Sequence, residues 1–150
     1  MKSLQEYINE SELKTDLSTN KVQPKTKDEL KEIIKDTFEH KQYDLNFIDT
    51  SEITDMSKLF TNCKYDFDIS DWDVSNVTDM NHMFYDCEKF NCDLSKWNVS
   101  KVVNMFSTFS SCKKFEGKGL ENWNVSNVID MRGMFKGCNR LTIPYWYDKL

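Results

Sequence analysis

Residues 94–105 read LSKWNVSKVVNM, and the same pattern occurs twice more in the chain. It occurs upstream as ISDWDVSNVTDM at 69–80 and downstream as LENWNVSNVIDM at 120–131. A more degenerate copy begins at Leu45, so that the leading apolar residues of the four copies are 24, 25 and 26 residues apart. A period in the twenties is typical of a solenoid, in which one short unit stacks on its own copies.

The spacing of the apolar residues changes within each copy. Leu94, Trp97 and Val99 fit an extended segment, with Trp97 and Val99 pointing inward. After Val102 the spacing becomes helical, at i, i+3, i+4 and i+7 from the methionine, and predicts one helical turn or more. We expect the tryptophans to stack as a ladder that ends at Ile48, each indole N–H bonding a backbone carbonyl or water. The ladder consists of Trp72, Trp97 and Trp123.

Sequences on either side of the copies are suited to cap a stack. Residues 26–29 (TKDE) form a capping-box pattern, and apolar residues at helical spacing follow from Leu30 to Phe38. Residues 1–14 are compatible with another short helix and 15–25 with a linker. The tail at 141–147 resembles a fifth strand cut short, with Pro144 and three aromatic residues covering the last core layer.

The predicted fold class is therefore α/β. It is a short leucine-rich-repeat-like solenoid of about four repeats of 24–26 residues, each with a parallel strand and a helical turn. Three parts are expected along the chain. Residues 1–44 form an N-terminal helical cap and linker, 45–143 form the four repeats, and 144–150 form a C-terminal aromatic cap. Phe90, Phe115 and Tyr65 are expected to close the return from one repeat to the next.

Composition and charge limit the kinds of partner and the cellular compartment that we expect for this chain. A net charge of -5 argues against a general nucleic-acid binder, which needs a basic face to displace counterions. The first ten residues contain no apolar stretch typical of a secretory signal, and no run approaches the roughly 18 apolar residues of a membrane helix. These patterns predict a cytoplasmic protein that binds neither nucleic acid nor membrane.

The cysteines follow the repeat. Cys63, Cys87, Cys112 and Cys138 each lie seven residues after the repeat methionine, and no C-x-x-C pair suggests zinc. The odd total of five cysteines also argues against a disulfide framework. We expect the four repeat cysteines to be buried free thiols, and Cys92, outside this series, is the candidate reactive thiol.

No pattern in the chain indicates catalysis. The two histidines are not spaced as metal ligands, and phosphate loops and nucleophile elbows are absent from the sequence. We therefore predict no enzyme activity, no cofactor and no metal. One residue before each methionine, the chain carries a carboxylate or amide that is expected to cap the following helical turn rather than to bind calcium. These residues are Asp55, Asp79, Asn104 and Asp130.

The function of a stacked-repeat protein normally lies on its outward faces and edge loops. We define the polar stripe as the set of outward positions that the repeat pattern predicts to bind a protein partner. The polar stripe consists of Asp49, Asp71, Asp73, Lys96, Asn98, Asn122 and Asn124. Its acidic members lie toward the first two repeats, which suits a basic partner. The chain is expected to act as a monomer.

The repeat Trp-Asx-Val-Ser-x-Val-x-x-Met, followed by x-x-Met-Phe-x-x-Cys, resembles the BspA-like leucine-rich repeats of bacterial surface and lipoprotein-associated proteins. The resemblance covers roughly 45–143 and implies a protein-binding surface without catalysis, in proteins with an extracellular role. The chain departs from many leucine-rich repeats at Val77, Val102 and Val128, where those carry an Asn.

The opening residues KSLQEYI, at 2–8, resemble the start of small bacteriophage proteins. This resemblance suggests an inhibitor of a bacterial defence enzyme, comparable with an anti-CRISPR protein, acting by steric block or acidic mimicry. The alternative is a structural, assembly or surface-adhesion protein of a virion or a cell.

Overall fold

The computed structural model describes residue 6 and residues 21–147. In the range 21–147 the helices are α1, Lys27–Glu39, and one 3₁₀ turn, Leu120–Asn122. This range contains isolated parallel bridges and no strand. The predicted α/β solenoid with parallel strands is therefore wrong. The helix proposed for 1–14, the start of the linker and the last three residues of the C-terminal cap lie almost entirely outside the described residues.

Successive turns take the place of the predicted strands. The N–H of Trp97 donates to the carbonyl of Leu94 at 3.1 Å, and the N–H of Val102 donates to that of Val99 at 2.9 Å. Only a few extended residues remain between these turns, too few for a strand ladder. The predicted inward alternation is nevertheless present, because Trp97 and Val99 are buried while Asn98 is exposed.

The predicted helical turn after each methionine is also wrong, and backbone geometry gives the reason. The second and the sixth residue after the methionine have positive φ angles, between 52° and 76°, in all four repeats. Left-handed residues cannot continue a right-handed helix. The positions concerned are Lys58, Asn62, His82, Asp86, Ser107, Ser111, Gly133 and Gly137.

The N–H groups that a helix would have used internally bond to the next repeat instead. At each of the three interfaces between repeats, four N–H groups spaced two residues apart donate to carbonyls of the following repeat, at 2.7–3.0 Å. At the middle interface the donors are Met80, His82, Phe84 and Asp86. These bonds run from each repeat to the following one, whereas the N–H groups of Thr78, Val103 and Ile129 donate to the preceding repeat.

Aromatic rings fill the space that these bonds enclose. Phe84 stacks on Phe60 with ring centroids 5.8 Å apart and on Phe109 at 5.2 Å. Trp97 stacks on Trp123 at 6.3 Å with nearly parallel rings. Each indole N–H donates to a carbonyl of the preceding repeat, as in the bond from Trp97 to Ile69 at 3.1 Å. The predicted carbonyl partners of the three indoles are confirmed, and within the predicted ladder Trp97 and Trp123 stack.

The return between repeats differs from prediction at one position. Phe90 and Phe115 are fully buried, as expected. Phe67, rather than Tyr65, occupies the equivalent place before them: it is buried and lies 5.1 Å from Phe90. Tyr65 is exposed and packs against Phe38 of α1. Tyr65 is 25 residues before Phe90 and fits the repeat period, whereas Phe67 is 23 residues before it, so the period alone selects the wrong aromatic residue.

Helix α1 covers the first repeat. Thr26 is its N-cap and accepts a hydrogen bond from the N–H of Glu29, as predicted. The Glu29 carboxylate accepts from the N–H of Lys25, one residue earlier than a capping box requires. Ile33 and Ile34 are buried in the common core. The helical N-terminal cap is thus present over 27–39.

The C-terminal cap is partly as predicted. Pro144 and Trp146 are buried, and the Trp146 indole donates to the Leu120 carbonyl at 2.7 Å, continuing the tryptophan ladder. Tyr147 packs edge-on against Phe135 at 4.9 Å. Tyr145 is 65% exposed. No helix among the described residues is long and apolar enough to cross a membrane.

The repeat cysteines are free thiols, as predicted, but only Cys87 and Cys112 are buried, whereas Cys63 and Cys138 are half-buried. The Cys87 thiol donates to the Phe60 carbonyl, and Cys112 and Cys138 make the same contact one repeat further on. Burial raises the pKa of Cys87 to about 12. Cys92 is buried too, and burial raises its pKa to about 12, so the suggestion that it is a reactive thiol is wrong.

Replacing Trp97 with Ala should lower the free energy of unfolding by about 3–5 kcal/mol, because the indole is buried between two repeats. Urea unfolding followed by circular dichroism measures this loss. Ile129→Ala, which truncates a side chain that is 84% exposed, is the control and should change stability by under about 0.5 kcal/mol. Equal stability of the two variants would contradict the packing assigned to Trp97.

The Cys87 thiol should make the fold sensitive to alkali. Its folded pKa of about 12 exceeds its ordinary value of 9.0, so the neutral thiol stabilises the fold below pH 9 and this stabilisation is lost as the pH rises toward 12. The loss is up to about 1.4 kcal/mol per pH unit for each such thiol. Cys87→Ala should therefore flatten the fall in unfolding free energy measured between pH 8 and pH 10.5. Cys63→Ala, at a half-buried position, should flatten it less.

Candidate functional site

The polar stripe lies on the surface, as its definition requires. Six of its residues are exposed, and Asp49 is half-buried. Its positions recur at intervals of 24–26 residues, and hydrogen bonds join neighbouring repeats beside it. For example, Thr50 donates to the Asp73 carbonyl at 2.8 Å, and Asn76 donates to the Ser51 carbonyl at 2.8 Å. Equivalent members of the polar stripe therefore lie in adjacent repeats on one face.

Four members of the polar stripe have a structural role that the sequence analysis missed. The side-chain oxygen of each accepts a hydrogen bond from the backbone N–H two residues later, at 2.9–3.1 Å. This arrangement is an Asx turn, which fixes the backbone with a short polar side chain. Carboxylate and amide oxygens are interchangeable as acceptors here. The four residues are Asp49, Asp73, Asn98 and Asn124.

The other three members follow the leading apolar residue of their repeats by two positions. The Lys96 ammonium pairs with the Asp71 carboxylate of the preceding repeat, and both groups are exposed. Asp71 is held further by its own N–H, which donates to the Asn46 side chain at 2.8 Å. Asn122 is exposed in the fourth repeat. An exposed pair of this kind contributes little to stability, so these side chains are available for contact with a partner.

Acidic residues of the second repeat pair with lysines of the third. Lys118 pairs with Asp93 at 2.6 Å, and with Ser95 it lowers the pKa of that carboxyl to about 2. Lys113 pairs with Glu88, again from one repeat to the preceding one. These pairs keep the carboxylates charged at neutral pH. Asp66 and Asp73 are exposed in the same acidic half of the molecule.

The residues that precede each methionine cap the following turn, as predicted, although that turn is not helical. Asp55, Asp79, Asn104 and Asp130 each accept from the N–H two residues later, at 2.7–3.1 Å. At Asp130 the Arg132 guanidinium also donates to both carboxylate oxygens, and it lowers the pKa of the carboxyl to about 2. Among the described residues no group of three or more His, Cys, Asp or Glu side chains could hold a metal ion.

A second surface, at the far side of the fourth repeat, was not identified from the sequence. Ile129 is 84% exposed there and lines an open cavity of about 510 Å³ with Met131 and Tyr147. The repeat pattern does hold a signal for it. The equivalent positions carry Thr54, Thr78 and the 37% exposed Val103, so this position becomes apolar in the last two repeats.

Asp73 allows the turn and binding roles to be separated. Asp73→Ala should lower the unfolding free energy by about 1 kcal/mol, because the N–H of Ser75 loses its acceptor. Asp73→Asn should stay within about 0.5 kcal/mol of the parent, since Asn98 and Asn124 fill the same position in later repeats. Thermal unfolding of the two variants checks this, and similar losses in both would contradict the turn role.

Comparisons with known proteins give a family but no close relative. The family described as "Mycoplasma protein of unknown function, DUF285" matches residues 28–146. Searches of curated proteins and of solved structures found no match. The matched range takes in nearly all of α1, the four repeats and the last indole of the tryptophan ladder. Because the match spans most of its length, the chain belongs to the DUF285 family.

Proposed function

We propose that the chain is a non-enzymatic module that binds one protein partner through the polar stripe and occupies its surface. The observation that carries the proposal is the Asx-turn series, which holds polar side chains on one face at each successive repeat. A binding surface that is fixed in advance loses less conformational freedom when the partner docks.

The charges of the polar stripe indicate the kind of partner. Asp49, Asp71 and Asp73 place three carboxylates in the first two repeats, whereas the third and fourth repeats present amides and a lysine. A partner with a basic patch beside a neutral, hydrogen-bonding surface would be complementary to this order. Complementary charges raise the rate of association and select the register of docking.

The family supports a repeat protein that binds other proteins, because DUF285 is associated with BspA-like surface repeats. Within the proposal, the narrower expectation is a bacterial partner met in the cytoplasm. The start of the chain, at 2–8, further supports a phage-encoded inhibitor of a defence enzyme, with the acidic residues occupying a channel meant for nucleic acid. The alternative, an assembly or adhesion protein of a virion or cell, is favoured by the surface-repeat resemblance.

The test is a pull-down of the tagged chain from bacterial lysate, with mass spectrometry and a salt series. We expect one stoichiometric partner, released by moderate salt because exposed charges contribute to the contact. The double variant Asp71→Asn with Asp73→Asn should lose the partner while it keeps the Asx turn. The control, Glu32→Gln with Glu39→Gln, removes the same amount of charge from α1 and should retain the partner.

Two results would overturn the proposal. Equal capture of the partner by both double variants would show that the polar stripe is not part of the interface. The absence of a partner, together with higher-order species in size-exclusion chromatography, would instead favour the assembly protein.

A further inference from the structure

Two asparagines of the polar stripe begin an Asn-x-Ser sequence. Residues 98–100 read NVS in the third repeat, and residues 124–126 read NVS at the equivalent place in the fourth. Asn-x-Ser or Asn-x-Thr, with any residue except proline in the middle, is the acceptor sequence for N-linked glycosylation, which takes place on surface loops. The motif is short, so the geometry of each copy decides whether its asparagine can be modified.

The side-chain amides of Asn98 and Asn124 are exposed and only half used. Their Oδ1 atoms accept the N–H groups of Ser100 and Ser126, each at 3.1 Å. Within residues 21–147, neither Nδ2 atom donates a hydrogen bond, and both asparagines are exposed. Because the oxygen alone holds the turn, the nitrogen remains available to a reagent in solvent.

The turn does not require an asparagine at these positions. Asp49 and Asp73 form the same Asx turn in the first and second repeats, with a carboxylate as the acceptor. Only an asparagine also supplies a nitrogen that can form a glycosidic bond. Among the described residues, the hydroxyls of Ser100 and Ser126 bond to no other group, so a transferase can recognise them.

A third copy of the motif provides an internal control. Residues 76–78 read NVT in the second repeat, but Asn76 is half-buried. Its Nδ2 donates to the Ser51 carbonyl at 2.8 Å, and its Oδ1 accepts from the Lys101 ammonium at 2.8 Å. The nitrogen of Asn76 therefore holds neighbouring repeats together and is not available. A further copy, at 9–11, lies outside the described residues.

We propose that Asn98 and Asn124 are acceptors for N-linked glycosylation of the folded chain and that Asn76 is not. The donor is a sugar activated by a phosphate leaving group, brought to the chain by a glycosyltransferase. A nucleotide sugar is the donor of this class that is present in the cytoplasm, where the chain is expected to act.

The chemistry at each acceptor is a substitution at the anomeric carbon of the sugar. The Nδ2 atom of Asn98 attacks this carbon and forms the carbon–nitrogen bond. The bond from the same carbon to the phosphate oxygen breaks, and the nucleoside diphosphate leaves with the electron pair. One Nδ2 proton passes to a base of the transferase, so the product is a neutral N-glycosyl amide and nothing is oxidised or reduced.

The test uses the folded chain, UDP-glucose and a soluble asparagine glycosyltransferase. Intact mass spectrometry counts the hexoses, and peptide mapping locates them. We expect one hexose at Asn98, one at Asn124 and none at Asn76. A parallel reaction uses an oligosaccharyltransferase and its polyprenyl-pyrophosphate glycan. Modification of the same two asparagines in either reaction supports the proposal and shows whether the donor is nucleotide-linked or lipid-linked.

Variants that change only the hydroxyl of the motif identify the sites. Ser100→Ala keeps Asn98 and the N–H that it accepts, so it should fold normally and lose the sugar at that site alone. Ser100→Thr retains a hydroxyl and should retain the sugar. Thr78→Ala makes the matched change beside Asn76 and should leave the hexose count unchanged. Thermal unfolding checks that each variant is folded.

Three results would overturn the proposal. They are an unmodified chain in both reactions, equal modification of Asn76 and Asn98, and equal occupancy of Asn98 in Ser100→Ala and the parent.

The proposal goes beyond the proposed function, because an acceptor amide needs exposure and its motif but no protein partner. Loss of the partner in the lysate experiment, with both hexoses still added, would overturn the proposed function alone. Capture of the partner by a chain that accepts no sugar would overturn the glycosylation sites alone.

Discussion

The hydrogen bonds between repeats are the constraint on which the rest of this structure depends. A turn whose second and sixth residues are left-handed directs alternate N–H groups out of the repeat, where only a neighbouring repeat can accept them. Left-handed geometry costs a residue other than glycine roughly 1–2 kcal/mol. Burial of Phe84 and its stacked neighbours offsets this cost. Each repeat therefore depends on the next one to be stable.

Side chains that tolerate left-handed backbone geometry, or that fix turns, recur because every repeat must form the same turns. Asn62 and Asp86 occupy the sixth position in the first two repeats, and glycine occupies it in the fourth. The Asx turns impose a similar limit on the polar stripe, where Asp73 and its equivalents must be short acceptors. Specificity for a partner can therefore vary more freely at Asp71 and its equivalents, whose side chains hold no turn.

The sequence predicted those features that depend on burial and on local capping. The period located all four repeats, the tryptophan ladder and α1, because each leaves an apolar or capping signature. Strands and helical turns were predicted wrongly, because the spacing from Met80 to Cys87 also suits a series of turns with the same residues inside. The residue types at Lys58 and Ser107 do not indicate that these positions have positive φ angles. The Asx turns could have been inferred from the Asx-x-Ser pattern.

The direction of the hydrogen bonds between repeats could not be predicted, since it follows from backbone geometry rather than from any residue type. After each of the first three repeat methionines, alternate N–H groups donate to the following repeat, whereas the N–H groups of Thr78, Val103 and Ile129 donate to the preceding one. Each repeat is therefore both a donor and an acceptor toward its neighbours, which ties its stability to theirs. The covers of the stack differ for a related reason. Helix α1 places Lys27 beside Asp55 at the first repeat, and the rings of Trp146 and Tyr147 lie against Phe135 at the fourth, so each cover suits the side chains that its repeat exposes.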